Sequence, residues 1–296
     1  MLHEMSEDWI KFHFYKGPSF IGSERAFKEA DYVAFGVPFD ATASYRPGSR
    51  FAPFELRLMS EYLELPGEEY IRLADLGDLP LTNSVEAMLR RVGEVVERIF
   101  SEGKVPIALG GEHTLTLASA SKLKSDTALV IFDAHLDLRD EYMDTRVNHT
   151  TWLRRLLENK DIEKVIVIGA RAYISEEAEC AEKFDVRVVT SSDVLQNFEK
   201  TVIEVRRFVS DVDGVYLSFD LDVLDPGYAP GVSNPEPGGI TPMHFFELTK
   251  VISRIGVRGI DVVEVNPLFD SGQAAANAVY AVYYALLASP TTSSST

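Results

Sequence analysis

"TALVIFDAHLD", residues 127–137, joins an unbroken apolar run from Ala128 to Phe132 directly to Asp133, His135 and Asp137. Five apolar residues without alternation fit a strand covered on both faces, as in a parallel sheet with helices on each side. Three ionisable groups at the end of such a strand fit a ligand site, because open α/β sheets bind at the carboxyl ends of their strands.

Seven further runs of this kind occur along the chain. They are "DYVAFGV" (31–37), "EYIRLAD" (69–75), "KVPIALG" (104–110), "KVIVIGA" (164–170), "VRVVTS" (186–191), "GVYLSFDLD" (214–222) and "VRGIDVVEV" (257–265). Helical stretches lie between them. In "SVEAMLRRVGEVVERIFSEG" the apolar residues from Val85 to Ile99 follow the helical period, with Ser84 as N-cap and Gly103 beyond the end. "TPMHFFELTKVISRIG" has Thr241 as cap, Pro242 at the first position and Gly256 as terminator. Alternation of strand and helix with no linker predicts one domain over 1–288. Its fold would be an open α/β/α sandwich, a closed barrel being the weaker alternative. The low-complexity end, 289–296, is expected to be disordered.

Composition narrows the function. Against 29 basic residues stand 46 acidic ones, a formal charge of -17. That disfavours nucleic acid and anionic membrane and suits a cationic small molecule. The single Cys180 excludes an internal disulfide and any cysteine-rich metal cluster, and it is expected on a helix face. The start of the chain is too polar for a secretory signal, so a cytoplasmic location is the default expectation. "AAANAVYAVYYALLAS" (274–289) is short for a membrane span and predicts a buried helix.

The ionisable pattern of the opening stretch recurs. Asp220 and Asp222 end the strand at 214–222, and His113 follows "ALGGE" after the strand at 104–110, where Gly110 and Gly111 would permit a sharp turn. If the backbone stays near extended past Phe132, Asp133, His135 and Asp137 point the same way. Four carboxylates and two imidazoles gathered together would repel and lose hydration unless divalent cations supply the missing charge. The set is too large for one tetrahedral ion and right for two that share carboxylates. Oxygen and nitrogen donors without thiolate point to Mn²⁺ first, with Zn, Co and Fe left open. Such a pair lowers the pKa of a shared water, which predicts hydrolysis at carbon or phosphorus.

Arg139, Arg146, Arg154 and Arg155 could serve a phosphate, so a phosphatase stays open at this point. Glu264, ending the last strand, could pair with a guanidinium. His149, just before a helix, is placed for proton transfer. Two loops, "DATASYRPGSRFAP" (40–53) and "DPGYAPGVSNPEPGG" (225–239), follow strands and are candidates for the pocket rim.

"GGEH" (110–113), "DAHLD" (133–137), "SFDLDVLDP" (218–226) and "EVNP" (264–267) together resemble the ureohydrolases, the arginase and agmatinase family, over roughly residues 30 to 288. The resemblance implies a three-layer α/β/α sandwich around an eight-stranded, mainly parallel sheet. It implies two Mn²⁺ per subunit, one held by His113, Asp133, Asp137 and Asp220, the other by Asp133, His135, Asp220 and Asp222. Glu264 would orient a guanidinium, Asp137 would pass a proton to the leaving amine, and His149 would be the outer shuttle. It further implies a cationic guanidino substrate, polyamine synthesis and a homohexamer. Asp140, Glu141 and Asp144 are expected to favour a terminal amine, hence agmatine, with aminopropylagmatine or guanidinobutyrate as alternatives. Thr150 and Ser233 stand where many agmatinases have Gly. A metal-binding relative without turnover would be marked by loss of Glu264 or His149, and both are present.

Overall fold

The structure, a computed structural model, describes residues 18–23, 25–67, 71–160, 162 and 164–290. The polar start of the chain and the final "TTSSST" lie outside these residues.

Eight strands form one sheet: β1 (Tyr32–Gly36), β2 (Leu73–Asp78), β3 (Val105–Leu109), β4 (Thr127–Phe132), β5 (Val165–Ala170), β6 (Arg187–Thr190), β7 (Gly214–Asp220) and β8 (Val257–Val263). Their order is β2-β1-β3-β8-β7-β4-β5-β6, and every pairing is parallel. β2 and β6 end the sheet, so it is open and the barrel alternative falls.

Nine helices connect the strands among the described residues: α1 (Ala52–Tyr62), α2 (Val85–Ser101), α3 (Leu115–Ala120), α4 (Trp152–Asn159), α5 (Ser175–Lys183), α6 (Ser191–Gln196), α7 (Phe198–Phe208), α8 (Pro242–Ser253) and α9 (Gln273–Ala288). Strand periodicity assigns the layers. Ala128, Val130 and Phe132 of β4 pack into one core with Leu56 of α1, Phe245 of α8 and Ala278 of α9. Leu129 and Ile131 face the opposite core, with Trp152 of α4 and Ala181 of α5. Both faces of β4 are therefore buried, which is why its sequence shows no alternation.

Local signals act as expected at several helix ends. The Ser84 side chain accepts the Ala87 N–H and the Thr241 side chain accepts the His244 N–H, caps of about 1 kcal/mol each. Cys180 is buried on α5. α9 packs against α8 and α1 inside the first core. Among the described residues no helix is long and apolar enough to cross a membrane.

Three boundaries differ from expectation. β2 starts at Leu73 and runs on to Asp78 as an edge strand whose outer half is exposed. β4 stops at Phe132, and Asp137 takes a left-handed φ of 53°. The carboxylate–imidazole triplet thus meets through a turn, not along an extended strand. Ser289, expected in the tail, is buried, and its Oγ accepts the Val257 N–H (3.0 Å).

Candidate metal centre and pocket

Four adjacent central strands, in the order β3-β8-β7-β4, carry the candidate groups at their carboxyl ends. His113 follows β3, Glu264 follows β8, Asp220 and Asp222 close β7, and Asp133 to Asp137 follow β4. They surround a pocket of about 460 Å³ whose lining also includes His149, Arg139, Glu177 and Glu236.

The turn that presents His113 depends on close approach. A Cβ on Gly111 would stand 1.8 Å from the Phe39 carbonyl oxygen, and one on Gly110 would stand 2.4 Å from that of Val262. Neither glycine has positive φ, so the pair serves contact with the neighbouring strand ends, not a left-handed turn. Two non-glycine residues here, Asp137 and Glu264, do hold left-handed φ values of 53° and 61°. Such backbone costs about 1–3 kcal/mol each and persists only where surrounding structure imposes it.

His113 Nδ1 lies 3.1 Å from Asp133 Oδ2, 3.2 Å from Asp137 Oδ2 and 3.2 Å from Asp220 Oδ2. His135 Nδ1 lies 3.0 Å from Asp222 Oδ2 and 3.4 Å from Asp133 Oδ1. Two donor groups result, His113–Asp133–Asp220 and Asp133–His135–Asp222, with Asp133 common to both. Donors about 2.1 Å from one ion and at right angles stand about 3 Å apart, the spacing seen here.

Partners on the far side fix the His113 tautomer. Its Nε2 is 2.9 Å from Ser218 Oγ, and that hydroxyl donates to Asp261 Oδ1 (2.6 Å), whose Oδ2 accepts the Tyr216 hydroxyl (2.7 Å). With the Ser218 proton spent on Asp261, Nε2 carries the ring proton and Nδ1 presents a lone pair to three carboxylates. Nδ1 is fully buried without a hydrogen-bond partner. Only a cation or an added proton satisfies that arrangement, so the donor set fits metal.

The electrostatics agree. Burial opposes ionisation of Asp133, yet His113 and His135 hold its carboxyl far below the usual range. Burial, reinforced by Asp133, pushes Asp137 up to about 6. Burial with Asp222 and Asp133 pushes Asp220 well up. Both imidazoles are raised against their burial by the same carboxylates. Protein charges alone leave this cluster competing for protons, which bound cations would relieve.

Glu264 Oε1 accepts the His113 backbone N–H (2.8 Å), and burial, with Glu112 nearby, pushes its pKa up to about 8. Trp152 donates its indole N–H to Asp137 Oδ2 (2.7 Å) and packs its ring on His113, centroids 4.6 Å apart. His149 is buried. Its Nδ1 is 3.2 Å from Thr42 Oγ1 and its Nε2 is 3.0 Å from Ser44 Oγ.

The segment after Asp137 is arranged differently from expectation. Asp140 Oδ1 is engaged by Arg146 (2.7 Å), Arg155 (2.8 Å) and Arg154 (3.5 Å), and Asp140, Glu141 and Asp144 do not line the pocket. The acidic lining comes instead from Glu177 and Glu236, which the sequence did not single out. The same arginine cage removes Arg146, Arg154 and Arg155 from any phosphate clamp. Arg139 alone reaches the pocket, 3.6 Å from Glu177 Oε2 and stacked on Tyr142. Thr150 lines the wall with its Oγ1 donating to Asn148 Oδ1 (2.9 Å), while Ser233 is buried outside the lining, its N–H donating to the Glu264 carbonyl (3.2 Å).

Ser218, Tyr216 and Asp261 lie inside β7 and β8, apart from the strand-end pattern that marks the other groups. Their signal was present: polar groups at two-residue spacing within apolar strands, Ser218 and Asp261 being register partners.

An open, wholly parallel sheet with a donor-lined pocket at its carboxyl edge defines an α/β/α protein built around a candidate metal site. Residues 30–288 match the arginase family, and the chain belongs to that family, the ureohydrolases. It is a hydrolase acting on guanidino compounds. It is 35% identical over 269 residues to the agmatinase of Bacillus anthracis, covering 86% of this chain and 90% of that one. It is 34% identical over 258 residues to the guanidinobutyrase of Pseudomonas aeruginosa, covering 81% and 80% respectively. The solved agmatine ureohydrolase of Thermoplasma volcanium superposes with a TM-score of 0.87 at 35% identity, covering 95% of this chain and 97% of that one.

Proposed function

We propose that the chain is an agmatinase that hydrolyses the agmatine guanidinium to putrescine and urea with two Mn²⁺ per subunit. The observation that carries the metal-dependent reading is the unpartnered His113 Nδ1 facing three carboxylate oxygens at 3.1–3.2 Å. His113, Asp133, Asp137 and Asp220 would hold one ion, and Asp133, His135, Asp220 and Asp222 the other. When bound, the ions would supply the positive charge that lowers the pKa of a water toward neutrality.

The remaining work falls to side chains. Glu264 receives the guanidinium, whose charge favours the ionised carboxylate and a charge-assisted hydrogen bond. C–N cleavage requires a proton on the leaving amine. Asp137, oriented by Trp152 and with a pKa near 6, is placed to pass it. His149, with burial and the charges of His135 and His113 lowering its pKa to about 4, would exchange that proton with solvent.

Agmatine is favoured by the pocket's carboxylates, which include Glu177 and Glu236 against a single Arg139. Aminopropylagmatine fits the same charge pattern. Arg139 is the one observation favouring guanidinobutyrate, although its charge is shared with Glu177. The test is urea release by the Mn²⁺-loaded chain from agmatine, aminopropylagmatine, guanidinobutyrate and arginine. Agmatine should give the highest kcat/KM, with the last two at least about tenfold lower. A preference for guanidinobutyrate or arginine would overturn the agmatinase reading. A single catalytic domain over 1–288, a homohexamer, a cytoplasmic location and a place in polyamine synthesis complete the proposal on the family resemblance. The charge of -17 supports a protein without nucleic-acid or membrane partners.

A further inference from the structure

We infer that Thr42, anchored on Glu112, is a positioning residue that fixes His149 as its Nδ1–H tautomer and leaves Nε2, on Ser44, as the proton-exchanging nitrogen. The inference rests on the shuttle reading of His149.

Proton counting carries it. Thr42 Oγ1 has one hydrogen, and it points to Glu112 Oε1 (2.5 Å). Glu112 is buried and has two further donors, the Thr114 hydroxyl (2.6 Å) and the Thr42 backbone N–H (2.7 Å). Having donated, Thr42 Oγ1 can only accept. Two nitrogens of His149 approach it, the backbone N–H at 3.2 Å and ring Nδ1 at 3.2 Å. A hydroxyl oxygen has two lone pairs, so both contacts are satisfied when Nδ1 is protonated. Nε2 then holds the lone pair of the neutral ring and accepts from the Ser44 hydroxyl (3.0 Å). Ser44 lines the pocket, so the nitrogen that gains and loses the proton is the one facing it.

Thr42 is also held in place. The Glu112 N–H donates to Phe39 O (2.8 Å), and the Gly48 N–H donates to Asp40 Oδ2 (2.7 Å). The 40–48 loop is thereby stitched to the turn that presents His113, and His149 takes its register from that turn.

The test uses the full chain with ¹⁵N-labelled histidine, metal-free and with diamagnetic Zn²⁺ for NMR, and with Mn²⁺ for kinetics. The chain has six histidines, so the His149→Asn variant assigns the His149 signals by subtraction. The wild type should show a protonated Nδ1 and an unprotonated Nε2. Thr42→Val, which keeps shape but removes the acceptor, should shift the ring toward the Nε2–H form. Its kcat should fall about tenfold with KM and metal content unchanged, and Thr42→Ser should restore both tautomer and rate. An unmoved tautomer in Thr42→Val, or a rate loss that follows metal loss or is not rescued by Ser, overturns the inference. Wild-type turnover in His149→Asn instead defeats the shuttle reading, while the NMR arm still reports on the tautomer.

Discussion

Replacing His149 with Asn should flatten the acid side of the chain's stability curve. Burial, aided by the positive charges of His135 and His113, lowers the folded-state pKa of His149 from 6.5 to about 4. Between those values the unfolded chain binds a proton that the folded chain refuses, so stability is present above 6.5 and is lost as pH falls toward 4. For a single site with those two constants the loss is about 2 kcal/mol between pH 7 and pH 5, rising to about 3 kcal/mol by pH 4. Urea denaturation of the metal-free wild type and variant at half-unit intervals measures it. Protonation of the carboxylate cluster is common to both chains and cancels in the difference. The wild type should therefore lose about 2 kcal/mol more than His149→Asn over that interval. Parallel curves would show that His149 is not buried as a neutral ring.

Asp133→Asn removes the carboxylate common to both donor groups, so metal analysis should fall from two ions per chain to less than one, whereas Asp222→Asn should keep the ion at His113. Retention of two ions in Asp133→Asn would refute the shared site. Ser218→Ala leaves the His113 Nε2–H and one Asp261 oxygen without their present partner. It should weaken Mn²⁺ binding by about 10–100-fold in calorimetric titration, and unchanged affinity would show that the hydroxyl does not orient the imidazole.

The sequence by itself determined where most of the strands lie and which side chains are candidate metal donors. Continuous apolar runs such as Ala128 to Phe132 marked the central strands because these are buried on both faces, a property carried within a few consecutive residues, whereas the edge strands β2 and β6 are partly exposed. His113, Asp133, His135, Asp137, Asp220 and Asp222 were legible because ionisable groups at strand ends are costly without a ligand. Tertiary structure decided the rest. Ser218 meets His113 across 105 residues of sequence, and Thr42 meets His149 across 107. The sequence neighbours of Asp140 predict a substrate-facing carboxylate, yet arginines on α4 and its preceding loop enclose it. The left-handed backbone at Asp137 and Glu264 is likewise marked by no periodicity or spacing in the sequence. Periodicity and donor chemistry are local and survive in one dimension. Which donor finds which acceptor, and which charge is neutralised before a substrate arrives, depends on strand order, and that is set only when the whole sheet has assembled.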